Sequence, residues 1–266
     1  MSAGPFTCQP LPYDRVGSGP PLLLLHGAMV DRGYWQERIP VLAARHEVIA
    51  CDLPGHGAAP PLAEPTSVAE LAAAVLATLD ALDLPAVTVL GHSLGGMVAQ
   101  ELALAAPGRV SALILADTWC RPRGYFGEPF PFRTTYLHWT LRALPVTQLV
   151  DLMAAGVAMR TPSILPYARQ TMGRYIDDRD SFLFIWDAAT AFDSHERLGR
   201  ITCPTLIVTS DGYLFTTYQA QRLAAGIPGA RLAVIPNSGH WLSWDNPTAF
   251  DAAVLGFLST LGHEYG

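Results

Sequence analysis

The chain has 266 residues, of which 50% are hydrophobic and 15% are charged, which excludes a disordered chain and allows a large buried core. The formal net charge of −6 argues against nucleic acid or an anionic membrane surface as the main partner. All 17 basic residues are Arg, so the chain has neither a Schiff-base lysine nor a phosphate-loop lysine.

Short apolar runs alternate with longer helix-like stretches, which predicts a mostly parallel α/β sheet wrapped by helices. Strands are predicted at residues 21–25, 47–51, 86–90, 111–116, 205–209 and 231–235. Helices are predicted at residues 68–82, 96–106, 217–225 and 247–261. Ser67, with Glu70 three residues later, has the spacing of a capping box at the start of the first of these helices. Asp245, shortly before Pro247, is interpreted as a start signal for the last one.

The alternation of strands and helices fails between Trp119 and about His195, a stretch rich in aromatic residues. An insertion of this length between two strands predicts a helical cap over the carboxyl ends of the strands, where α/β sheets hold their ligands. We therefore predict a core formed by residues 1–118 and 196–266, a cap at 119–195, and an apolar pocket beneath the cap. Four arginines enter the cap, and two interpretations stay open: a bidentate site for a substrate carboxylate or, more commonly, a solvated face. They are Arg121, Arg123, Arg133 and Arg142.

The four cysteines, Cys8, Cys51, Cys120 and Cys203, are widely scattered, so we expect neither a disulfide framework nor a zinc site. Residues 1–12 lack the basic and apolar regions of a signal peptide, and the apolar runs are too short or interrupted to span a bilayer. We expect a soluble, cytoplasmic protein without a membrane partner.

The strongest chemical signal is the sequence Gly-His-Ser-Leu-Gly at residues 91–95, which fits the pattern G-x-S-x-G. It lies between the predicted strand 86–90 and the helix predicted from Gly96. This context is what the pattern requires, because the glycines permit a sharp turn that holds the serine hydroxyl at the helix N-terminus. The motif predicts Ser93 as a nucleophile.

Serine is a weak nucleophile at neutral pH and needs a neighbouring base. Among the 8 histidines, His240 alone occupies a loop after the last predicted strand, as the order Ser, acid, His along the chain demands. Backbone N–H groups must also face the developing oxyanion. We expect these from Leu94, directly after the nucleophile, and from Ala28, in the loop after strand 21–25.

These motifs make the chain similar to the α/β-hydrolase superfamily, specifically to its capped esterase, lactonase and haloperoxidase-like branch. The resemblance covers nearly the whole chain and is carried by residues 26–28, 52–57, 91–96, 204–208 and 238–240. It implies an eight-stranded sheet and an acyl-enzyme mechanism without a cofactor or metal. In that mechanism His240 takes the proton from Ser93 and later activates water.

The acid of the triad departs from the family pattern. The family usually places it in the turn after the strand at 204–209, and this position falls on Gly212 or Tyr213, neither of which is acidic. Two replacements stay open: Asp211, in the same turn, and Asp117, at the end of the strand after the nucleophile helix. Only one of them is expected to orient His240.

The leading hypothesis is a carboxylic ester hydrolase that acts on a small-to-medium apolar ester or lactone. A second hypothesis is a different reaction on the same fold, such as cofactor-free oxygenation, lyase or peroxidase-like chemistry, and Asp117 as the acid would favour the oxygenase. A third is a hydrolase-like binding protein without turnover, suggested by the missing acid in the usual turn.

Overall fold

The computed structural model describes residues 9–121, 140–212 and 214–261 of the chain. Seven strands of these residues form one sheet in the order β1-β3-β2-β4-β5-β6-β7. The strands are β1 (Tyr13–Val16), β2 (Pro21–Leu25), β3 (Glu47–Cys51), β4 (Val87–His92), β5 (Val110–Ala116), β6 (Thr205–Ser210) and β7 (Arg231–Ile235). Strand β1 pairs antiparallel with β3, and the remaining neighbours pair in parallel. The predicted α/β class is confirmed, but the described sheet has seven strands and not the eight that the resemblance implies.

The central strands are buried along almost their whole length because helices cover both faces of a parallel sheet. Every residue of β4 and β6 is buried, as are four of the five residues in β2 and in β3. Strand β1 is different, since all four of its residues are exposed and two are charged. It lacks the apolar run by which the other six strands were predicted.

The described helices are α1 (Ile39–Leu42), α2 (Val68–Ala81), α3 (Leu94–Ala105), α4 (Val146–Val157), α5 (Leu165–Gly173), α6 (Arg179–Ala191), α7 (Leu214–Gly226), α8 (Leu242–Asp245) and α9 (Pro247–Leu261). The capping box predicted for α2 is present: the Glu70 amide donates to Ser67 Oγ at 3.2 Å, and the Ser67 amide donates to Glu70 Oε2 at 2.8 Å. Helix α3 begins two residues earlier than predicted, and β4 ends two residues later. Ser93 is therefore the single residue between this strand and this helix.

Helices α4, α5 and α6 lie in the segment between β5 and β6, where a cap is predicted. The inserted segment that contains them contacts the loop that follows β3. Ser181 Oγ accepts a hydrogen bond from the Leu62 amide at 2.7 Å, and the Tyr175 hydroxyl donates to the Gly55 carbonyl at 2.9 Å. These contacts bring the inserted helices to the carboxyl ends of the strands, while the division of the chain at 119 and 195 stays a prediction.

Three thiols of the described chain, Cys51, Cys120 and Cys203, are free, and Cys8 lies outside the described residues. Burial raises the pKa of Cys51 to about 12 and that of Cys120 to about 11, so both stay protonated at neutral pH. Within the described ranges, every helix is too short or too polar to cross a membrane.

Candidate active site

Ser93 sits on a strained turn between β4 and α3. Its φ of 52° and ψ of −115° are unusual for a residue with a side chain. The turn is fixed from β5, because the Ser93 amide donates to the Ala116 carbonyl at 2.9 Å and the Thr118 hydroxyl donates to the Ser93 carbonyl at 2.7 Å. A side chain at Gly95 would meet the carbonyl oxygens of Leu25 and His26 at the end of β2, so this position requires glycine. The backbone therefore holds the serine hydroxyl at the start of α3.

His240 lies beside Ser93 although the two are separated by 147 residues of sequence. The His240 Nε2 atom is 3.1 Å from Ser93 Oγ, which is hydrogen-bonding distance. Burial of the imidazole lowers the pKa of His240 to about 4, so the ring is neutral at pH 7. A neutral ring with Nε2 as the acceptor can receive the proton of the serine hydroxyl.

Asp117 faces the other nitrogen of the same ring. Its Oδ2 is 3.8 Å from His240 Nδ1, which is within ion-pair distance and longer than a hydrogen bond. The carboxylate is almost completely buried, and its Oδ1 accepts hydrogen bonds from the Thr209 hydroxyl at 3.0 Å and the Ser210 amide at 2.9 Å. Two groups of β6 thus hold this carboxylate behind His240.

Asp211 has a different place. Its Oδ2 accepts a hydrogen bond from the Asn237 amide at 2.9 Å, and its Oδ1 accepts one from the Ser238 amide at 3.1 Å. These two bonds hold the pKa of the exposed Asp211 carboxyl below its usual value. Both oxygens are directed at the backbone that leads to His240, so the carboxylate contacts this loop and not the imidazole. Tyr213 of the same turn lies outside the described residues.

The two residues expected to supply oxyanion donors flank Ser93. Leu94 is the first residue of α3, and the amides of a first helical turn have no acceptor within their own helix. Ala28 follows Gly27, where a Cβ atom would lie 3.2 Å from Ser93 Cβ and 2.9 Å from His92 Nδ1. Because Gly27 lacks that atom, the backbone leading to Ala28 passes directly beside Ser93.

His92 connects the turn of Ser93 to the loop of His240, a contact that the sequence does not reveal. Its Nε2–H donates to the His240 carbonyl at 2.8 Å, and its ring stacks on Tyr34 with the centroids 4.6 Å apart. Burial, followed by the neighbouring His240, lowers the pKa of His92 well below its usual value. A neutral His92 therefore donates a hydrogen bond to the backbone of His240.

The two of these arginines that lie within the described residues, Arg121 and Arg142, form ion pairs near the surface. Arg121 Nε is 2.6 Å from Asp193 Oδ2, and an Arg142 nitrogen is 2.6 Å from Asp187 Oδ2, while Arg123 and Arg133 lie outside the described residues.

Among the parts of the chain that the structure describes, no group of three or more His, Cys, Asp or Glu side chains could hold a metal ion.

Comparison with known sequences agrees with this geometry. A model of the alpha/beta hydrolase family matches residues 22–253 of the chain. The chain is 33% identical over 251 residues to a protein of Azorhizobium caulinodans named "Putative carbamate hydrolase RutD", and the match covers 94% of this chain and 95% of that protein.

Solved structures give a similar result. A hydrolase from Pseudomonas aeruginosa PA01 superposes with a TM-score of 0.81 at 27% identity, covering 92% of this chain and 93% of its own. Est816, described as an N-acyl homoserine lactone degrading enzyme, superposes with a TM-score of 0.79 at 28% identity, covering 93% of this chain and 96% of its own. The similarity in both comparisons extends over nearly the full length of each protein.

Proposed function

The chain belongs to the alpha/beta hydrolase family, and we propose that it is a serine hydrolase that cleaves a small-to-medium apolar carboxylic ester or lactone. The observation that carries this proposal is the 3.1 Å separation between Ser93 Oγ and His240 Nε2 on a strained turn at the start of α3. A serine hydroxyl paired with a neutral imidazole is the arrangement that acyl transfer needs.

The reaction follows from the roles of these groups. Ser93 Oγ attacks the ester carbonyl carbon while His240 Nε2 takes the hydroxyl proton, and the amides of Ala28 and Leu94 stabilise the oxyanion of the tetrahedral intermediate. The intermediate collapses to an acyl-serine as the protonated His240 gives its proton to the leaving alcohol. His240 then deprotonates a water molecule that attacks the acyl group, and it returns this proton to Ser93 Oγ as the acyl–oxygen bond breaks and the carboxylic acid leaves.

Asp117 is the acid of this triad. The 3.8 Å distance to His240 Nδ1 and the fixed position of its carboxylate support this choice, whereas Asp211 is engaged with the amides of Asn237 and Ser238. The buried carboxylate orients the imidazole and stabilises its cation in the transition state. Asp211 has a structural role in the loop that carries the base.

The first experiment measures hydrolysis of p-nitrophenyl esters from acetate to octanoate, before and after treatment with a fluorophosphonate. We expect turnover that the reagent abolishes, with Ser93 as the modified residue. Ser93→Ala should lower kcat by about 10⁴-fold or more with the fold intact. Ser111→Ala, which removes an exposed hydroxyl of β5, is the matched control and should behave as wild type. Unchanged turnover in Ser93→Ala would refute the nucleophile assignment.

Carbamates are a second candidate class of substrate, favoured by the name of the relative that is 33% identical to this chain. Attack of Ser93 on a carbamate would give a carbamoyl-serine through the same oxyanion, so the proposed groups serve either substrate. A p-nitrophenyl carbamate and the ester with the matching acyl chain distinguish the two by their kcat/KM. The better substrate identifies the class.

The remaining hypotheses predict a different outcome of the same assay. A cofactor-free oxygenase, a lyase or a hydrolase-like binding protein would give neither ester turnover nor labelling of Ser93. The proposed partner is thus a small apolar molecule and not a nucleic acid or a membrane. The cytoplasmic location stays a prediction.

A further inference from the structure

The loop that carries the base is held along its whole length by groups from outside it. We define the His240 loop as residues 236–240. The Asn246 side chain donates to the Pro236 carbonyl at 2.8 Å, and the Gly212 amide donates to the Ser238 carbonyl at 3.0 Å. Together with the bonds from Asp211 and His92, these contacts fix the backbone on both sides of Gly239.

Gly239, the residue directly before His240, is bound by Asp245. The Gly239 amide donates to Asp245 Oδ2 at 2.8 Å, and the other oxygen of the same carboxylate, Oδ1, accepts from the Thr161 hydroxyl at 2.6 Å. Thr161 lies between α4 and α5, in the segment inserted between β5 and β6. One half-buried carboxylate therefore joins the inserted segment to the residue that precedes the base.

A second contact runs alongside the first. The Arg160 side chain crosses Gly239, since a Cβ atom at this glycine would lie 3.4 Å from Arg160 Cδ and 3.5 Å from its Nε. The same guanidinium approaches Gly212, and its charge contributes to the lowered pKa of Asp211. Arg160 thus contacts the His240 loop directly, while the adjacent Thr161 reaches it through Asp245.

Asp245 is not needed to start the last helix, the role that its position in the sequence indicates. That role belongs to Asn246, whose Oδ1 accepts a hydrogen bond from the Ala249 amide in the first turn of α9 at 3.2 Å. The carboxylate of Asp245 is instead directed at Gly239 and Thr161. Its geometry requires an explanation other than helix capping.

We propose that Asp245 is a positioning residue for His240, through which the inserted segment around Thr161 controls the placement of the base. This inference rests on the proposed hydrolase function for its consequence, but the coupling itself is a property of the loop. When Thr161 is in place, both carboxylate oxygens are engaged and Gly239 is fixed. When the Thr161 bond is lost, the carboxylate can rotate away from the Gly239 amide, and the ring of His240 shifts relative to Ser93.

Two variants weaken the contact between Thr161, Asp245 and Gly239, and two further variants serve as controls. Thr161→Val removes only the hydroxyl of the inserted segment and keeps the side-chain volume, while Thr161→Ser retains the hydroxyl. Asp245→Asn keeps one carbonyl oxygen and therefore satisfies one of the two donors. Asp251→Asn is the matched control, because Asp251 is another half-buried carboxylate near the C-terminus whose ion pair is with Arg38.

The experiment combines amide hydrogen exchange of the His240 loop with steady-state kinetics on the best ester. We expect Thr161→Val and Asp245→Asn to accelerate exchange at Gly239 and His240 and to lower kcat by about tenfold with KM within about twofold. The acid limb of kcat/KM should move in both variants, and Thr161→Ser should restore exchange and kcat. Asp251→Asn should leave exchange in the loop and kcat unchanged.

The exchange measurement tests whether Thr161 fixes the His240 loop, and the kinetics test whether this affects catalysis. Wild-type exchange of the loop in Thr161→Val would overturn the coupling, and so would a change confined to KM, because the hydroxyl would then act on substrate binding. If the wild-type protein hydrolyses no ester, the proposed function fails, and the exchange rates still show whether Thr161 fixes Gly239.

Discussion

The turn of Ser93 and the His240 loop carry the two side chains of the proposed proton transfer, but different parts of the sequence build them. Five consecutive residues, 91–95, specify the turn: glycines allow the close approach of β2, and strand and helix meet at Ser93. No comparable sequence motif specifies the conformation of the His240 loop. Its shape depends on hydrogen bonds that Asp211 and Asp245 accept from its amides and that His92 donates to its carbonyl, and these three residues lie outside the loop.

The turn of Ser93 is thus fixed by steric contacts, whereas the His240 loop is fixed by hydrogen bonds. A steric turn tolerates almost no substitution, because a new Cβ atom has to displace backbone. A loop held by several hydrogen bonds loses its geometry in steps, since each bond contributes only about 1 kcal/mol. Substitutions of the turn glycines and of the hydrogen-bonding groups around the loop should therefore differ in kind, with a large loss of stability in the first case and a graded loss of rate in the second.

Gly95→Ala should produce the largest effect. The added methyl would lie 2.6 Å from the carbonyl oxygen of His26, so β2 and α3 must separate. We expect the free energy of unfolding, measured with urea, to fall by about 3 kcal/mol and ester turnover to be lost. Gly256→Ala in α9 is the control, because nothing lies within 4 Å of its added Cβ atom, and it should be neutral or stabilising. Wild-type stability of Gly95→Ala would mean that the turn is not sterically fixed.

Asp117→Asn and Asp211→Asn compare the two carboxylates that the sequence left open. Loss of the buried charge behind His240 should lower kcat by about 10³- to 10⁴-fold with the fold intact. Asp211→Asn retains an oxygen acceptor for the loop amides, so we expect a loss of about tenfold at most. Both are measured as kcat on one ester, with circular dichroism as the check on folding. A larger loss of kcat in Asp211→Asn than in Asp117→Asn would mean that Asp211 is the acid of the triad and Asp117 has the structural role.

His92 joins the two regions, and its substitution should have a smaller effect. His92→Leu removes the donor to the His240 carbonyl, and we expect kcat to fall by about tenfold with KM nearly unchanged. His92→Gln places an amide donor at a similar reach and should recover part of the rate. If both variants lose the same activity, stacking of the imidazole on Tyr34 is the property that matters, and not its hydrogen bond.

The sequence predicted the parts of the site that depend on local pattern. Apolar runs located six of the seven described strands, and the spacing of glycines around Ser93 located the candidate nucleophile. Strand β1 was not predicted, because an exposed edge strand needs no apolar run. The proposed choice of Asp117 over Asp211 rests on contacts that the sequence does not reveal, since either residue follows a predicted strand on the same side of the sheet.

Contacts between residues that are far apart in the sequence could not be predicted from sequence patterns. Asp245 precedes a proline at a helix start, and this pattern is typical of a cap, yet its carboxylate binds Gly239 and Thr161, which is 84 residues away. His92 occupies a variable position of G-x-S-x-G and donates to a carbonyl 148 residues away. Hydrogen bonds of this kind follow from how the inserted segment and the last loop pack, and no local periodicity records them.

The pH dependence of kcat/KM should show the smallest effect, and it tests both regions together. The base must be neutral, so activity falls as pH drops through the pKa of His240, which burial lowers to about 4. Between pH 7 and 5.5 we therefore expect a change of less than about twofold, whereas a histidine titrating at its ordinary pKa near 6.5 would lose about eightfold. Tryptophan fluorescence over the same range checks that the fold persists. An acid limb near pH 6.5 would mean that the charge of Asp117, 3.8 Å from Nδ1, offsets the burial, and Asp117→Asn should then move that limb to lower pH.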